Sequence, residues 1–90
     1  MPNAFDKIKQ RMQKAKDNDE RVIITESNYG VVETHVLKIT RVYDRYAIGV
    51  TTVINDDETY HVKYSINYGS LLVAGPRGLK IIYEGDNSFV

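Results

Sequence analysis

The clearest structural pattern of this 90-residue chain is found in Tyr60-His61-Val62-Lys63-Tyr64-Ser65-Ile66. Every second residue of the stretch, beginning with the first, is aromatic or aliphatic, and the residues between them are polar. Because successive side chains of a strand point to opposite faces, this alternation is typical of an antiparallel strand with one buried face. The pattern predicts a sheet scaffold and indicates little about activity.

Similar segments lie on both sides of this stretch, with polar turns between them. Asn, Asp, Gly and Pro mark turns at 27–30, 44–45, 55–58, 67–70 and 75–78. We therefore predict short strands over residues 21–26, 31–43, 46–54, 59–66, 71–74 and 79–84.

The apolar positions of the longest predicted strand, 31–43, change phase along its length. Val32, Thr34 and Val36 share one face, whereas Leu37 and Ile39 take over on the other. A one-residue shift of this kind predicts a β-bulge or a sharp bend, which a small barrel needs in order to close.

The following predicted strand, 46–54, has one face of large residues and one of small residues. Ala47 and Gly49 form the small face, and the opposite face carries Tyr46, Ile48, Val50 and Ile54. A glycine inside a strand often marks a place where a neighbouring group approaches closely, so we expect such an approach at Gly49.

An amphipathic helix is predicted over residues 4–16. Apolar residues recur there at spacings of three, four and three, which places on one stripe Phe5, Ile8, Met12 and Ala15. Asn3 is the expected N-cap, and Asp6, three residues later, gives a weak form of the capping box. The chain therefore begins with a helix that has one apolar face.

These elements make one domain, residues 1–90, of the α+β class and mostly β. The helix is followed by five or six antiparallel strands over about 21–84 and by a short polar tail, 85–90. The simplest closure is a five- or six-stranded SH3-like or Sm-like barrel, which removes exposed sheet edges. The competing architecture is an open, curved sheet with the helix packed across it.

Composition limits the class of protein. Hydrophobic residues make up 42% and charged residues 27%, which is ordinary for a globular domain and argues against disorder. There is no cysteine, which excludes disulfides and cysteine-based zinc sites and favours a reducing cytoplasm. No apolar run approaches the roughly 20 residues that cross a bilayer, and we expect neither a membrane segment nor a signal peptide.

The net charge is zero, but the charges are unevenly distributed. The predicted helix carries a basic set, Lys7, Lys9, Arg11, Lys14 and Lys16, against Asp6 alone. Its polar face is interpreted first as solvated surface and second as a contact for an acidic partner or for nucleic acid. A membrane-surface role is disfavoured because the apolar face is narrow and lacks Trp and Leu. Nucleic-acid binding would use Lys7, Lys9, Arg11, Lys14 and Arg77.

Histidine and acidic residues give no pattern of metal ligands. His35 and His61 are the only histidines, and neither HxH nor HxxxH spacing occurs, so both are predicted to be surface strand residues. They would make a pH-sensitive contact if their strands paired side by side. The acidic run 56–58 lacks the spacing of a calcium loop and is predicted to be a solvated turn. We expect no metal, no cofactor and, in the absence of any catalytic motif, no enzymatic activity.

Seven tyrosines in ninety residues are an excess that points to contact surfaces. Core-facing or rim positions are predicted for Tyr46, Tyr60, Tyr64 and Tyr83. The other three tyrosines are predicted to lie at strand ends or turns. Arg77 lies in the rigid turn 75–78, where it is interpreted either as a contact residue or as an exposed hairpin arginine. The predicted protein-binding residues are Tyr29, Tyr43, Arg45, Tyr68 and Arg77.

The order of several short motifs resembles the Veg-like proteins of Gram-positive bacteria. The similarity spans residues 5–73 and rests on Phe5-Asp6-Lys7-Ile8-Lys9-Gln10-Arg11, the turn with Gly30, Val42-Tyr43, Val62-Lys63-Tyr64-Ser65 and Leu71-Leu72. The family's basic, glycine-rich stretch is reduced here to Asn28-Tyr29-Gly30. The resemblance implies a cytoplasmic, non-enzymatic regulatory protein with a helix and a small SH3-like barrel, and the missing arginines weaken a nucleic-acid role.

Two functions therefore remain open. The first is a regulatory or protein-binding module with a protein partner, which includes self-association through the sheet. The second is a small barrel that binds RNA or DNA through the basic helix. Neither interpretation involves a membrane or a small-molecule substrate.

Overall fold

The computed structural model describes residues 3–28, 30–73 and 78–86. Its elements, in chain order, are α1 (Ala4–Asp17), β1 (Arg21–Asn28), β2 (Val31–Val42), β3 (Tyr46–Asn55), β4 (Glu58–Asn67), α2 (Tyr68–Leu71) and β5 (Lys80–Tyr83). The predicted order of one long helix followed by a mostly β domain of antiparallel strands is confirmed. The predicted turn at 75–78, apart from its last residue, and the tail beyond residue 86 lie outside the described residues.

Helix α1 begins where the sequence predicts. The Asn3 side chain accepts a hydrogen bond from the Asp6 backbone N–H at 2.9 Å, and the Asp6 carboxylate accepts one from the Asn3 N–H at 3.2 Å. This reciprocal pair is a full capping box, which satisfies two backbone donors at the start of the helix. Met12 and Ala15 are fully buried, so the predicted apolar stripe is the face that packs on the sheet.

The five strands form one antiparallel sheet with the order β4-β3-β2-β1-β5. Helix α1 packs mainly against β2, with smaller contacts to β3 and α2. In the described part of the chain β4 and β5 are the two edges of the sheet, and no pairing joins them. Within that part no helix is long and apolar enough to cross a bilayer.

The predicted bulge in the long strand exists, but it lies nearer the end of β2. The register of the β2–β3 pairing shifts between Ile39 and Arg41. Leu37 and Ile39 are buried, whereas Val32 and Val36 are 64% and 47% exposed. The apolar residues in the first half of β2 therefore lie on the exposed face of the sheet, and those from Leu37 onward lie on the core face. The bulge comes after this change of face.

The core lies between α1 and the sheet and consists of Met12, Ala15, Val22, Ile24, Leu37, Ile39, Ala47, Ile66, Tyr68 and Tyr83. In β3 the small residues face this core. A Cβ added at Gly49 would lie 3.0 Å from Leu37 Cδ1, which confirms the close approach expected there.

The prediction of a strand over 71–74 is wrong for its described residues. A single helical turn, α2, follows β4 directly, because the Asn67 side chain accepts a hydrogen bond from the Gly69 N–H at 2.8 Å and caps it. The Leu79 N–H then donates to the Ser70 carbonyl at 3.0 Å, which brings the chain back to the start of β5. Five strands are therefore described.

Candidate protein-binding surface

The structure disperses the predicted protein-binding residues. Tyr43 and Arg45 lie together at the β2–β3 turn, and both are exposed. Tyr68 is buried beneath them. Tyr29 and Arg77 lie outside the described residues. The site that can be built from the structure is therefore the β2–β3 turn.

A stacked pair of aromatic rings, Tyr43 and Tyr46, dominates this turn. Their centroids are 4.7 Å apart with an interplanar angle of 26°, and the residues are 39% and 40% exposed. The Tyr43 N–H donates to the Tyr46 carbonyl at 2.9 Å, which closes the turn and holds the rings side by side. Of the two positions predicted for Tyr46, core-facing or rim, the core-facing one does not occur, since the core face of β3 belongs to Ala47.

Tyr68 supports this turn and does not belong to its surface, which corrects its predicted role as a contact residue. Its side chain is fully buried, with the ring edge-on to Phe5 at 6.2 Å between centroids. The Tyr68 hydroxyl donates to the Tyr43 carbonyl at 2.6 Å, and the Tyr68 N–H donates to the Arg45 carbonyl at 3.1 Å. Burial raises the pKa of Tyr68 above its ordinary value, so the hydroxyl stays a donor.

Positive charge surrounds the aromatic pair. Lys16, Arg41 and Arg45 are exposed, and none of them forms an ion pair with another described residue. Beside Tyr43 is a shallow groove of about 490 Å³ lined by Gln13, Lys16, Thr40, Arg41, Val42 and Tyr43. We call the surface formed by Lys16, Arg41, Tyr43, Arg45 and Tyr46 the turn surface.

The turn is tied to α1 by an ion pair between Lys9 and Asp44. The Lys9 ammonium lowers the pKa of the Asp44 carboxyl below its usual range. Asp44 is the one acidic residue of the turn 43–46, and the ion pair with Lys9 neutralises its charge. The unpaired charge that the turn surface presents to solvent is therefore cationic.

The residues predicted for nucleic-acid binding do not form one free basic face. Lys9 is paired with Asp44, and Arg11 is engaged with Glu20 at 2.7 Å and Asp86 at 3.2 Å. The Arg11 guanidinium also lies 4.1 Å from the centre of the Tyr83 ring, and its side chain is only 18% exposed. Lys7 and Lys14 stay exposed and without an ion-pair partner among the described residues, and Arg77 is not described.

A second exposed surface escaped the sequence analysis. The β3–β4 hairpin extends beyond α1, and it exposes apolar residues on both faces: Val53, Ile54, Tyr60 and Val62. Tyr60, predicted to face the core or a rim, is 47% exposed, whereas Ile66 on the same face of β4 is buried. The other core predictions are confirmed for Tyr83, which is buried, and in part for Tyr64, which is half-buried.

The two histidines are not neighbours. His61 lies opposite Thr52 on β4, with 3.3 Å between its Nδ1 and the Thr52 hydroxyl, and His35 lies opposite Ile24 on β2. Strands β2 and β4 are separated by β3, so the contact considered for the two histidines does not occur.

Comparison of the chain with family models, with curated proteins and with solved structures found no match. The functional proposal therefore rests on the chemistry of the exposed surfaces.

Proposed function

We propose that this protein is a small, non-enzymatic regulatory module that binds a protein partner through the turn surface. The observation that carries the proposal is the exposed Tyr43–Tyr46 stack, held from below by the buried Tyr68. Tyrosine and arginine are, with tryptophan, the residues most enriched at the energetic centres of protein interfaces, and this surface presents both.

Rigidity favours this surface over the other exposed apolar residues. The carbonyls of Tyr43 and Arg45 are both fixed by hydrogen bonds from Tyr68, and the Tyr43 N–H is fixed by Tyr46. A contact residue that is already ordered loses little conformational entropy when a partner binds. The β3–β4 hairpin beyond α1 has no comparable support from the core.

The charge of the turn surface favours an acidic partner. Lys16, Arg41 and Arg45 leave three cations around two aromatic rings, with Asp44 compensated by Lys9. Such a surface accelerates encounter with a negatively charged segment, and the effect weakens as salt increases. A protein segment that combines carboxylates with an apolar side chain fits this arrangement.

The experiment is a comparative affinity purification from the source cells with three forms of the immobilised protein. They are the wild type, the Tyr43→Ala/Tyr46→Ala variant, and Tyr60→Ala as a matched control with an exposed tyrosine removed elsewhere. A partner identified by mass spectrometry should be present with the wild type and with Tyr60→Ala, and absent with the double variant. A partner retained equally by all three forms contradicts the assignment of the surface.

Single-stranded nucleic acid is a second candidate for the same surface, favoured by the position of Lys16 and Arg41 beside the aromatic stack. Bases stack on exposed tyrosines while cations follow the phosphates, and the affinity then falls steeply with salt. Fluorescence anisotropy with single- and double-stranded oligonucleotides at low and moderate salt distinguishes this candidate. Tyr43→Ala tests the stack, and Lys7→Ala/Lys14→Ala tests the basic helix separately. The absence of binding at low salt excludes both.

The proposal extends to the finer description of the fold and the cell compartment. An N-terminal helix, five antiparallel strands, a bulge in β2 and a helical turn before β5 support an SH3-like or Sm-like barrel. The proposed relation to the Veg-like proteins rests on the sequence motifs alone. Because β4 and β5 do not pair with each other among the described residues, their edges offer a route to self-association, which light scattering on the purified protein tests. A cytoplasmic location is part of the same proposal.

A further inference from the structure

A second cluster of charged side chains lies on the β1–β2 hairpin. Glu26 on β1 and Glu33 on β2 are directly opposite each other in the antiparallel register. His35 is two residues beyond Glu33, so all three side chains lie on the same face of the hairpin. One oxygen or nitrogen of each residue lies within 4.8 Å of the others.

The centre of this cluster is the Nε2 atom of His35. It lies 3.5 Å from Glu33 Oε2 and 3.8 Å from Glu26 Oε1. Nε2 is buried and has no hydrogen-bond partner among the described residues. The ring is held in place by Tyr64, whose centroid is 4.5 Å away. A buried nitrogen without a partner is unusual, because leaving such an atom unsatisfied destabilises the fold.

The glutamates are a second unusual feature of the same place. Two carboxylates directly opposite each other on neighbouring strands repel and destabilise the pair. The polar character of this hairpin does not require an acidic pair, since the neighbouring pair of opposite residues, Thr25 and Thr34, is uncharged. Binding of one cation that accepts electron pairs accounts for both the unpartnered nitrogen and the facing carboxylates.

We propose that Glu26, Glu33 and His35 bind a divalent transition-metal ion with the ligand preferences of Zn²⁺. One imidazole and two carboxylates match that ion, which takes nitrogen and oxygen donors and leaves a fourth position for water or for a group from a partner. The ion neutralises the two carboxylates and engages Nε2. Ca²⁺ and Mg²⁺ are disfavoured, because they require six or more oxygen ligands and bind imidazole poorly.

The geometry requires only small movements. Ligand atoms about 2.1 Å from a tetrahedral ion are about 3.4 Å from one another. The two distances from Nε2 are already 3.5 and 3.8 Å. The glutamate oxygens have further to move, but their side chains are 49% and 57% exposed and are free to rotate. The less mobile ligand, His35, is the one that the structure already aims into the site.

The site is independent of the turn surface. Its three residues lie on β1 and β2 before the bulge and share no residue with the turn surface, which lies at the β2–β3 turn, at the end of β2 and on α1. A failure of one proposal therefore leaves the other unchanged.

Isothermal titration of untagged protein with Zn²⁺ at neutral pH tests the site, with Mg²⁺ as the comparison ion. We expect one saturable site for Zn²⁺ and none for Mg²⁺. His35→Gln and Glu33→Gln should each weaken binding by about tenfold or more. His61→Gln removes the other histidine and should leave the affinity unchanged. No saturable binding of Zn²⁺ below about 1 mM, or an equal loss in His61→Gln, overturns the proposal.

A second measurement avoids any dependence on folded variants. Long-range ¹H–¹⁵N correlation spectra of the wild-type histidine rings report each ring nitrogen directly. Addition of Zn²⁺ should shift His35 Nε2 strongly and leave His61 unaffected. Equal shifts for both histidines, or none, contradict a built site at His35.

Discussion

The buried hydroxyl of Tyr68 donates a 2.6 Å hydrogen bond to the backbone carbonyl of the exposed Tyr43. A fully buried side chain thus fixes the position of a surface residue 25 positions earlier in the chain. This bond links the packing of the core to the geometry of the turn surface, since it restrains the segment that carries the aromatic stack.

Tyr68→Phe should therefore affect the turn more than the core. The ring keeps its packing, but the Tyr43 carbonyl loses its donor, so we expect a loss of about 1 kcal/mol in the free energy of unfolding. Partner binding should weaken as the turn loosens. Urea denaturation and a binding titration measure the two effects. Tyr64→Phe is the matched control, because the Tyr64 hydroxyl forms no hydrogen bond within the described part of the chain. Equal effects of the two changes contradict a specific role for the bond.

Arg11 should be a determinant of stability. Its guanidinium binds Glu20 with two hydrogen bonds, at 2.7 and 3.1 Å, and the Glu20 carboxylate also accepts one from the Gly85 N–H. Arg11→Met leaves a buried carboxylate without its partner, and we expect a loss of about 3 kcal/mol. Chemical denaturation checks this value. Lys9→Met, which breaks the exposed pair with Asp44, should cost much less, and a similar loss for both variants contradicts the account.

The same pair predicts how stability depends on acid. The Arg11 guanidinium holds the pKa of Glu20 below its ordinary value of 4.5. Because the folded state has the lower pKa, the contribution of Glu20 is fully present above pH 4.5 and is lost as the pH falls through the folded-state pKa. Urea midpoints measured as the pH is lowered should decrease more steeply for the wild type than for Glu20→Gln. Parallel curves would falsify this assignment.

Substitution of Gly49 should destabilise the protein because Leu37 leaves too little space for a side chain there, and not because of the backbone conformation of Gly49. A Cβ there would lie 3.0 Å from Leu37 Cδ1 and 3.1 Å from Leu37 Cβ. Gly49→Ala should destabilise the protein by about 1–3 kcal/mol through overpacking. Thermal or urea denaturation measures the loss. Combining it with Leu37→Val, which shortens the facing side chain, should cost less than the sum of the single changes, and simple additivity would count against the clash.

Local patterns predict the local structure of this chain well. The capping residues Asn3 and Asp6 and the apolar stripe locate α1, and the alternation around Val62 locates β4, because helix caps and strand periodicity depend on nearby residues. Tyr68 is an exception to this agreement. The turn-forming residues Asn67 and Gly69 beside it predict an exposed loop, yet Tyr68 continues the alternation that includes Ile66 and is buried in the core.

Long-range placement is what the sequence does not reveal. Glu26 and Glu33 are adjacent only because the β1–β2 register places them opposite each other. Composition does not distinguish this register from one shifted by a single residue. The Tyr43–Tyr46 stack likewise depends on the conformation of the turn between them. The extent of the sheet that α1 covers, which leaves Tyr60 exposed, is set by tertiary packing.

Binding through the turn surface is best tested by titration calorimetry of the purified partner with the wild type, Tyr43→Ala/Tyr46→Ala and Tyr60→Ala. The double variant should lose at least about 2 kcal/mol of binding free energy, roughly a thirtyfold weaker affinity, as expected for interface hot spots. Tyr60→Ala should bind like the wild type. Undiminished binding by the double variant, together with a loss in Tyr60→Ala, would contradict the account and move the interface to the β3–β4 hairpin.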